Sequence, residues 1–213
     1  MRTVARLVAT VAVLAIVAGG GAELDAQRRK PARKPAPKVR IQPATIKCPE
    51  ELGTGARTGA QYCFVLAGRD PAQGVVVAIP PHIGPATLLF DLHNRHTYSE
   101  QEVKAGRGYA RYLAIIGVLT MKGDLISRAG VQSEFRRAPD LYERITGDAG
   151  PGGLRAVAPL GREPVVVTIP AGINEVSLLG EVLDATTAAG RELATPGRTV
   201  AIVSNIRVEY RPR

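Results

Sequence analysis

Asp91-x-His93-x-x-His96 is where side chains able to ligate a metal or move a proton crowd together, and His82 lies just upstream. Carboxylate oxygens and imidazole nitrogens are ordinary zinc ligands, but a site needs three or four of them converging at about 2.0–2.2 Å. Where strand periodicity runs through residue 93, Asp91 and His93 share a face. His96 joins them only if the chain turns at Asn94, and His82 sits on the preceding turn. No H-E-x-x-H pattern accompanies the cluster. The plain reading is a surface loop with ordinary polar residues, so no metal and no cofactor is assigned. A metal-dependent envelope enzyme using Asp91, His93 and His96 is the alternative.

Other chemistry has less to build on. No G-x-S-x-G elbow occurs. The Gly-rich stretch Gly147–Gly153 lacks the Gly-Lys-Ser/Thr ending of a phosphate loop and reads as a connector. Lys104 and Lys122 are the lysines of residues 48–213, which leaves few candidates for Schiff-base chemistry. Aromatic residues make up 4% of the chain, with no Trp. Tyr109 and Tyr112 are three apart, hence on opposite faces of a strand, and form no evident stacking platform.

The elements that must position these residues announce themselves through an internal echo. Residues 75–89 and 165–179 share the pattern V-V-V-x-I-P-x-x-I-x-x-x-x-L-L at a fixed offset of 90. A weaker echo relates 111–116 to 198–203. Val/Ile runs are stiff at χ1 and suit a pleated surface, and the Pro that follows ends ladder donation. Two related strand–turn–strand–loop–strand units follow, each built on a Val-rich hairpin. Ala86, Leu88, Phe90 and Leu92 then alternate toward a core, with Asp91 and His93 on the other face. Residues 174–189 could pass for a capped helix, and the echo favours strand instead.

Further strands are expected at Tyr62–Leu66, Tyr109–Met121, Asp124–Phe135, Leu154–Ala158 and Thr199–Tyr210, with a turn at Lys122-Gly123. One short helix is expected over Pro139–Thr146. Eight or nine strands at these spacings point to an all-β chain, a two-sheet antiparallel sandwich of jelly-roll-like type.

Three segments divide the chain. Residues 1–26 have the layout of a secretory signal peptide: Arg2 and Arg6, an apolar run from Leu7 to Val17, then small residues up to Ala22 and Ala26. The apolar run is short for a membrane span, although a retained anchor is the other reading. Residues 27–47 form a basic, proline-rich linker with eight basic and no acidic side chains. Residues 48–213, the sandwich domain, carry 18 basic and 17 acidic residues, so the net charge of +9 resides mainly in the arm. Arg28, Arg29, Lys30, Arg33, Lys34, Lys38 and Arg40 could contact a polyanion, or simply solvate a spacer. Export argues against intracellular nucleic acid as a partner, and no second apolar run supports a multi-span membrane protein.

Cys48 and Cys63 are the only cysteines. In an oxidising compartment they are expected to form a disulfide, closing a loop whose constraint is worth about 3 kcal/mol. The resulting expectation is an exported, non-catalytic binding, adhesion or assembly module of the periplasm or cell envelope. Its partner would be an envelope protein or a glycan, and a carbohydrate-binding accessory domain is the third reading.

Overall fold

β-Branched runs set the architecture. The computed structural model describes residues 37–146, 155–160 and 162–213. In chain order the first strands are β1 (Arg40–Pro43), β2 (Thr45–Lys47), β3 (Glu51–Gly55), β4 (Gln61–Leu66) and β5 (Val75–Ala78). Next come β6 (Ala86–Asn94), β7 (His96–Tyr98), β8 (Ala110–Thr120), β9 (Leu125–Phe135) and β10 (Leu141–Thr146). The last are β11 (Arg155–Pro159), β12 (Glu163–Ile169), β13 (Glu175–Thr187), β14 (Gly190–Leu193) and β15 (Thr199–Tyr210). One short helix, α1 (Glu100–Lys104), follows β7.

Two antiparallel sheets result. The larger runs β12-β6-β15-β4-β3-β10-β11-β7, with β1 added to β15. The smaller runs β2-β5-β13-β8-β9, with β14 added to β13. Val75, Val77, Leu88, Leu92, Ile116, Leu178 and Val203 fill the space between them and are fully buried. The expected two-sheet antiparallel sandwich is therefore the fold, with 15 strands among the described residues where eight or nine were expected.

The echo organises both sheets, though not through hairpins. β5 and β6 do not pair with each other, and neither do β12 and β13. β5 pairs with β13, and β12 pairs with β6. Each repeat is thus an arch that crosses from one sheet to the other, and the two arches exchange partners. The weaker echo obeys the same exchange, since β8 pairs with β13 while β15 pairs with β6. Val77 lies opposite Val176. An exact two-fold would set Val167 opposite Ala86, yet Leu88 faces it, two residues along. A slide of two residues preserves which side chains point inward, whereas a slide of one would reverse them. Residues 174–189 are accordingly strand and not helix.

Three further expectations change. The helix expected over Pro139–Thr146 is a 3-10 turn at Ala138–Asp140 followed by β10. Asp140 Oδ2 accepts from the backbone N–H groups of Arg136 and Arg137, which closes that turn. The end of the expected linker is also strand: Arg40 lies opposite Tyr210, and Ile46 lies opposite Val77. β1 and β2, within the segment read as linker, thus add to the larger and the smaller sheet. Finally, the Asp91/His93 face of β6 is covered, because the larger sheet curls until β11 comes back into contact with β6. Under that curl lies a second small core of Tyr62, Ile145 and Ile202, flanked by Leu52, Phe64 and Tyr142. The turn at Lys122-Gly123 forms as expected, with Gly123 at φ +91°. The segments read as signal peptide and as the Gly147–Gly153 connector lie outside the described residues. Among the described residues no helix is long and apolar enough to cross a membrane.

Candidate functional site

β6 carries Asp91 and His93 on one face, as strand alternation requires. Asp91 Oδ2 accepts from Arg162 Nη1 at 2.7 Å and from Asn205 Nδ2 at 3.4 Å. Asn205 reaches it because β15 bulges between Ser204 and Arg207, with Asn205 itself at φ +53°. Asparagine tolerates that left-handed conformation better than most residues. His93 Nε2 is hydrogen bonded to Ser204 Oγ at 2.9 Å. Its ring lies 5.5 Å from that of Tyr62 and 5.3 Å from that of Tyr142. Burial lowers the His93 imidazole to about 4; the Asp91 charge opposes this and Arg162 adds to it. At neutral pH His93 is an uncharged ring in an aromatic layer.

His96 goes elsewhere. The chain turns at Arg95, and β7 sends His96 toward the smaller sheet, where Nδ1 is hydrogen bonded to the Tyr112 hydroxyl at 2.6 Å. Its ring packs 4.1 Å from the Phe135 centroid. Burial alone lowers His96 to about 4, and burial raises Tyr112 to about 12. Both groups are therefore neutral at pH 7, far from the near-neutral value that favours general acid–base work. Asp91, His93 and His96 do not share one centre, and among the described residues no three His, Cys, Asp or Glu side chains converge on a metal position. His82 is remote as well: its Nδ1 contacts Pro80 O at 2.8 Å, beside the chain end at Pro212.

The His96–Tyr112 pair instead forms the floor of a cleft of about 350 Å³ that sequence reasoning missed. β7, α1, the start of β8 and the turn after β13 enclose it. Two ion pairs stand in its wall: Arg95 with Glu192, and Arg107, whose Nε and Nη2 both donate to Glu102 at 2.9 Å. Tyr109, 42% exposed, lines it too. The opposite-face argument for Tyr109 and Tyr112 fails here because β8 starts at Ala110, leaving Tyr109 outside the strand. One signal was available in Ser99-x-x-Glu102, a helix-start pattern. Ser99 Oγ accepts from Glu102 N at 3.3 Å and so opens α1.

A second feature also went unread. Two guanidinium groups, those of Arg57 and Arg162, each lie 5.2 Å from the ring centroid of Tyr142 on β10. Beside it, the buried Glu143 carboxylate accepts backbone N–H bonds from Arg57 at 3.1 Å, Thr58 at 2.8 Å and Arg144 at 3.0 Å. Burial pushes this carboxyl up, but those donors outweigh it and hold it below the ordinary range. Glu143 is thus an internal anchor for the β3–β4 turn.

Cys48 and Cys63 form the expected disulfide, with Cα atoms 5.7 Å apart. Of the arm residues, Lys38 and Arg40 are described and exposed. Arg28, Arg29, Lys30, Arg33 and Lys34 lie outside the described residues. Comparison with known proteins finds no matching family model, no similar curated protein and no similar solved structure.

Proposed function

We propose that the chain is an exported, non-catalytic binding or assembly module of the cell envelope, carried behind a basic, proline-rich arm. The observation that carries this reading is the separate engagement of its reactive side chains. Asp91 holds Arg162 and Asn205, His93 holds Ser204, and His96 holds Tyr112. Asp91 and His93 tie one face of β6 to neighbouring residues of β15, while His96 ties β7 to β8, so each side chain has a structural partner. The apolar and signal-like N-terminus, together with the disulfide, supports an oxidising compartment.

Ligand contact is assigned to the cleft beside Tyr109, where an exposed ring and two ion pairs offer stacking and polar contacts together. That combination favours a glycan within the broader class. The test uses the full-length gene product expressed with its own N-terminus. The expected results are a mature chain outside the cytoplasm, beginning after Ala22 or Ala26, and salt-insensitive retention on an insoluble envelope polysaccharide that Tyr109→Ala weakens at least tenfold. One zinc per purified chain, lost in His93→Ala, overturns the reading, as does an unprocessed cytoplasmic chain.

A further inference from the structure

Sheet edges are ready-made pairing surfaces, and folded proteins normally shorten, cover or interrupt them. β2 and β7, at two of the four ends, are three residues each. β12, at a third, contains Pro164, which cannot donate to a ladder. β9 is different. It has 11 residues, contains no Pro, and pairs along one side with β8. β6, β11 and β12 of the facing sheet lie near it, and Asn94 of β6 donates to Ser133, but none of them shares a ladder with β9 among the described residues.

We propose that β9 pairs antiparallel with β9 of a second copy of this chain, about a two-fold axis at Val131. The register comes from the strand itself. Its irregularity is confined to the end at Leu125–Ser127, so Ser127–Phe135 is regular and has Val131 at its centre. Pairing about Val131 sets Arg128 of each copy opposite Glu134 of the other, twice by symmetry. Arg128, Gly130, Gln132 and Glu134 all lie exposed on the outer face. Gly130 then faces Gln132 of the second copy and leaves room for its amide. On the inner face Val131 meets its own counterpart, and Ala129 meets Ser133.

The charges extend this match. Arg128 Nε already donates to Glu181 at 2.6 Å, and Arg136 Nη2 to Glu134 at 2.8 Å. Pairing joins these into a row of alternating sign: Glu181 and Arg128 of one copy, then Glu134 and Arg136 of the other. Opposite charges directly across a strand pair stabilise it, and like charges weaken it. An isologous contact of this kind closes as a dimer and leaves no repeating edge for a filament. The dimer edge meets the glycan reading at Arg136, which donates to Glu134 and lies 5.7 Å from the Tyr109 ring centroid; oligomeric state and polysaccharide retention are read separately, so either can fail alone.

The experiment is light scattering coupled to size exclusion, from micromolar to millimolar protein, on the full-length mature chain. Wild type is expected to dimerise with rising concentration. Arg128→Glu alone and Glu134→Arg alone should each be monomeric, because every copy then meets like charge across the axis. An equimolar mixture of the two variants should recover the dimer, since carboxylates at 128 and 134 of one chain meet guanidinium groups at 134 and 128 of the other. Far-ultraviolet spectra check that each variant is folded. A wild type monomeric throughout overturns the proposal. So does a dimer indifferent to either reversal, or a mixture that stays monomeric, whether the edge is then covered by the chain's own arm or by another protein.

Discussion

His96 Nδ1 and the Tyr112 hydroxyl are hydrogen bonded at 2.6 Å, and this contact ties β7 of the larger sheet to β8 of the smaller one. His96 Nε2 is also buried, with no protein partner among the described residues. The ring therefore depends on a single polar contact. Tyr112→Phe would leave both nitrogens unmatched at almost constant volume. Losing one partner of a buried pair costs about 1–3 kcal/mol, more than the bond itself contributes net. Urea denaturation of Tyr112→Phe should show a loss of that size with an unchanged m-value.

Acid should act on His96 and, separately, on His93. His93 and His96 both have imidazoles lowered to about 4, against about 6.5 when unfolded. The folded state favours their neutral forms, so the unfolded chain binds more protons between those values. Their contribution is complete above about pH 6.5 and is lost progressively as pH falls toward 4, by roughly 3 kcal/mol for each ring. Glu143, whose carboxyl is held low, adds a second loss that begins as pH falls through the ordinary carboxylate value and continues toward its lowered one. Urea midpoints measured from pH 7.5 to 4.5 should fall steeply, and His93→Gln should flatten the slope by about half.

Glu143 anchors the β3–β4 turn through the backbone N–H groups of Arg57 and Thr58 and also accepts from Arg144, its neighbour on β10, and removing it strands all three donors. Glu143→Ala is expected to cost about 2–4 kcal/mol, since charge-assisted bonds to a buried carboxylate exceed neutral ones. Glu143→Gln should recover little, because its amide nitrogen would face an N–H donor. Thermal melts of the two variants, together with amide exchange at Thr58, check this.

How much of this was legible depended on period and charge. Val75–Ala78 and Glu163–Ile169 could be read as strands because their β-branched runs leave few alternatives. Their partners could not, since nothing local distinguishes an arch from a hairpin. β10 was hidden because its inward positions include Glu143 beside Ile145, which breaks the apolar alternation that marks a strand. β1 and β2 were masked by the basic, Pro-rich composition around them. Strand parity correctly set Asp91 and His93 on one face of β6. It gave no hint that the sheet curls over that face, which turns a proposed surface cluster into an aromatic interior.

The disulfide closes a loop with a sequence separation of 15 and fixes Cys63, which is fully buried on β4. Much of the loop is exposed and contains Gly53 and Gly59 at positive φ, and its middle is held by the pairing of β3 with β4 and β10 and by Glu143. Reduction should lower stability by about 3 kcal/mol on the chain-entropy model. Guanidinium unfolding with and without dithiothreitol, or with Cys48→Ala, measures it. A loss below about 1 kcal/mol would show that β3 and β4 hold this loop without the bridge.

Two glycines on adjacent strands separate packing from propensity. A Cβ at Gly180 would sit 2.5 Å from Val200 Cγ2 and 2.6 Å from Val200 Cβ. Val200 is fully buried and β-branched, so it has no free rotamer to yield, and Gly180 bridges to Ala67 where the two sheets approach. A Cβ at Gly117 meets Glu181 Oε1 at 2.7 Å, the far end of a partly exposed, flexible side chain. Gly180→Ala should therefore destabilise by about 1–3 kcal/mol through overpacking. Gly117→Ala should change stability by less than about 1 kcal/mol, because strand propensity gained offsets the displaced carboxylate. Chemical denaturation of both variants side by side decides the point. Equal losses would mean that Val200 does not form the tight contact between the sheets.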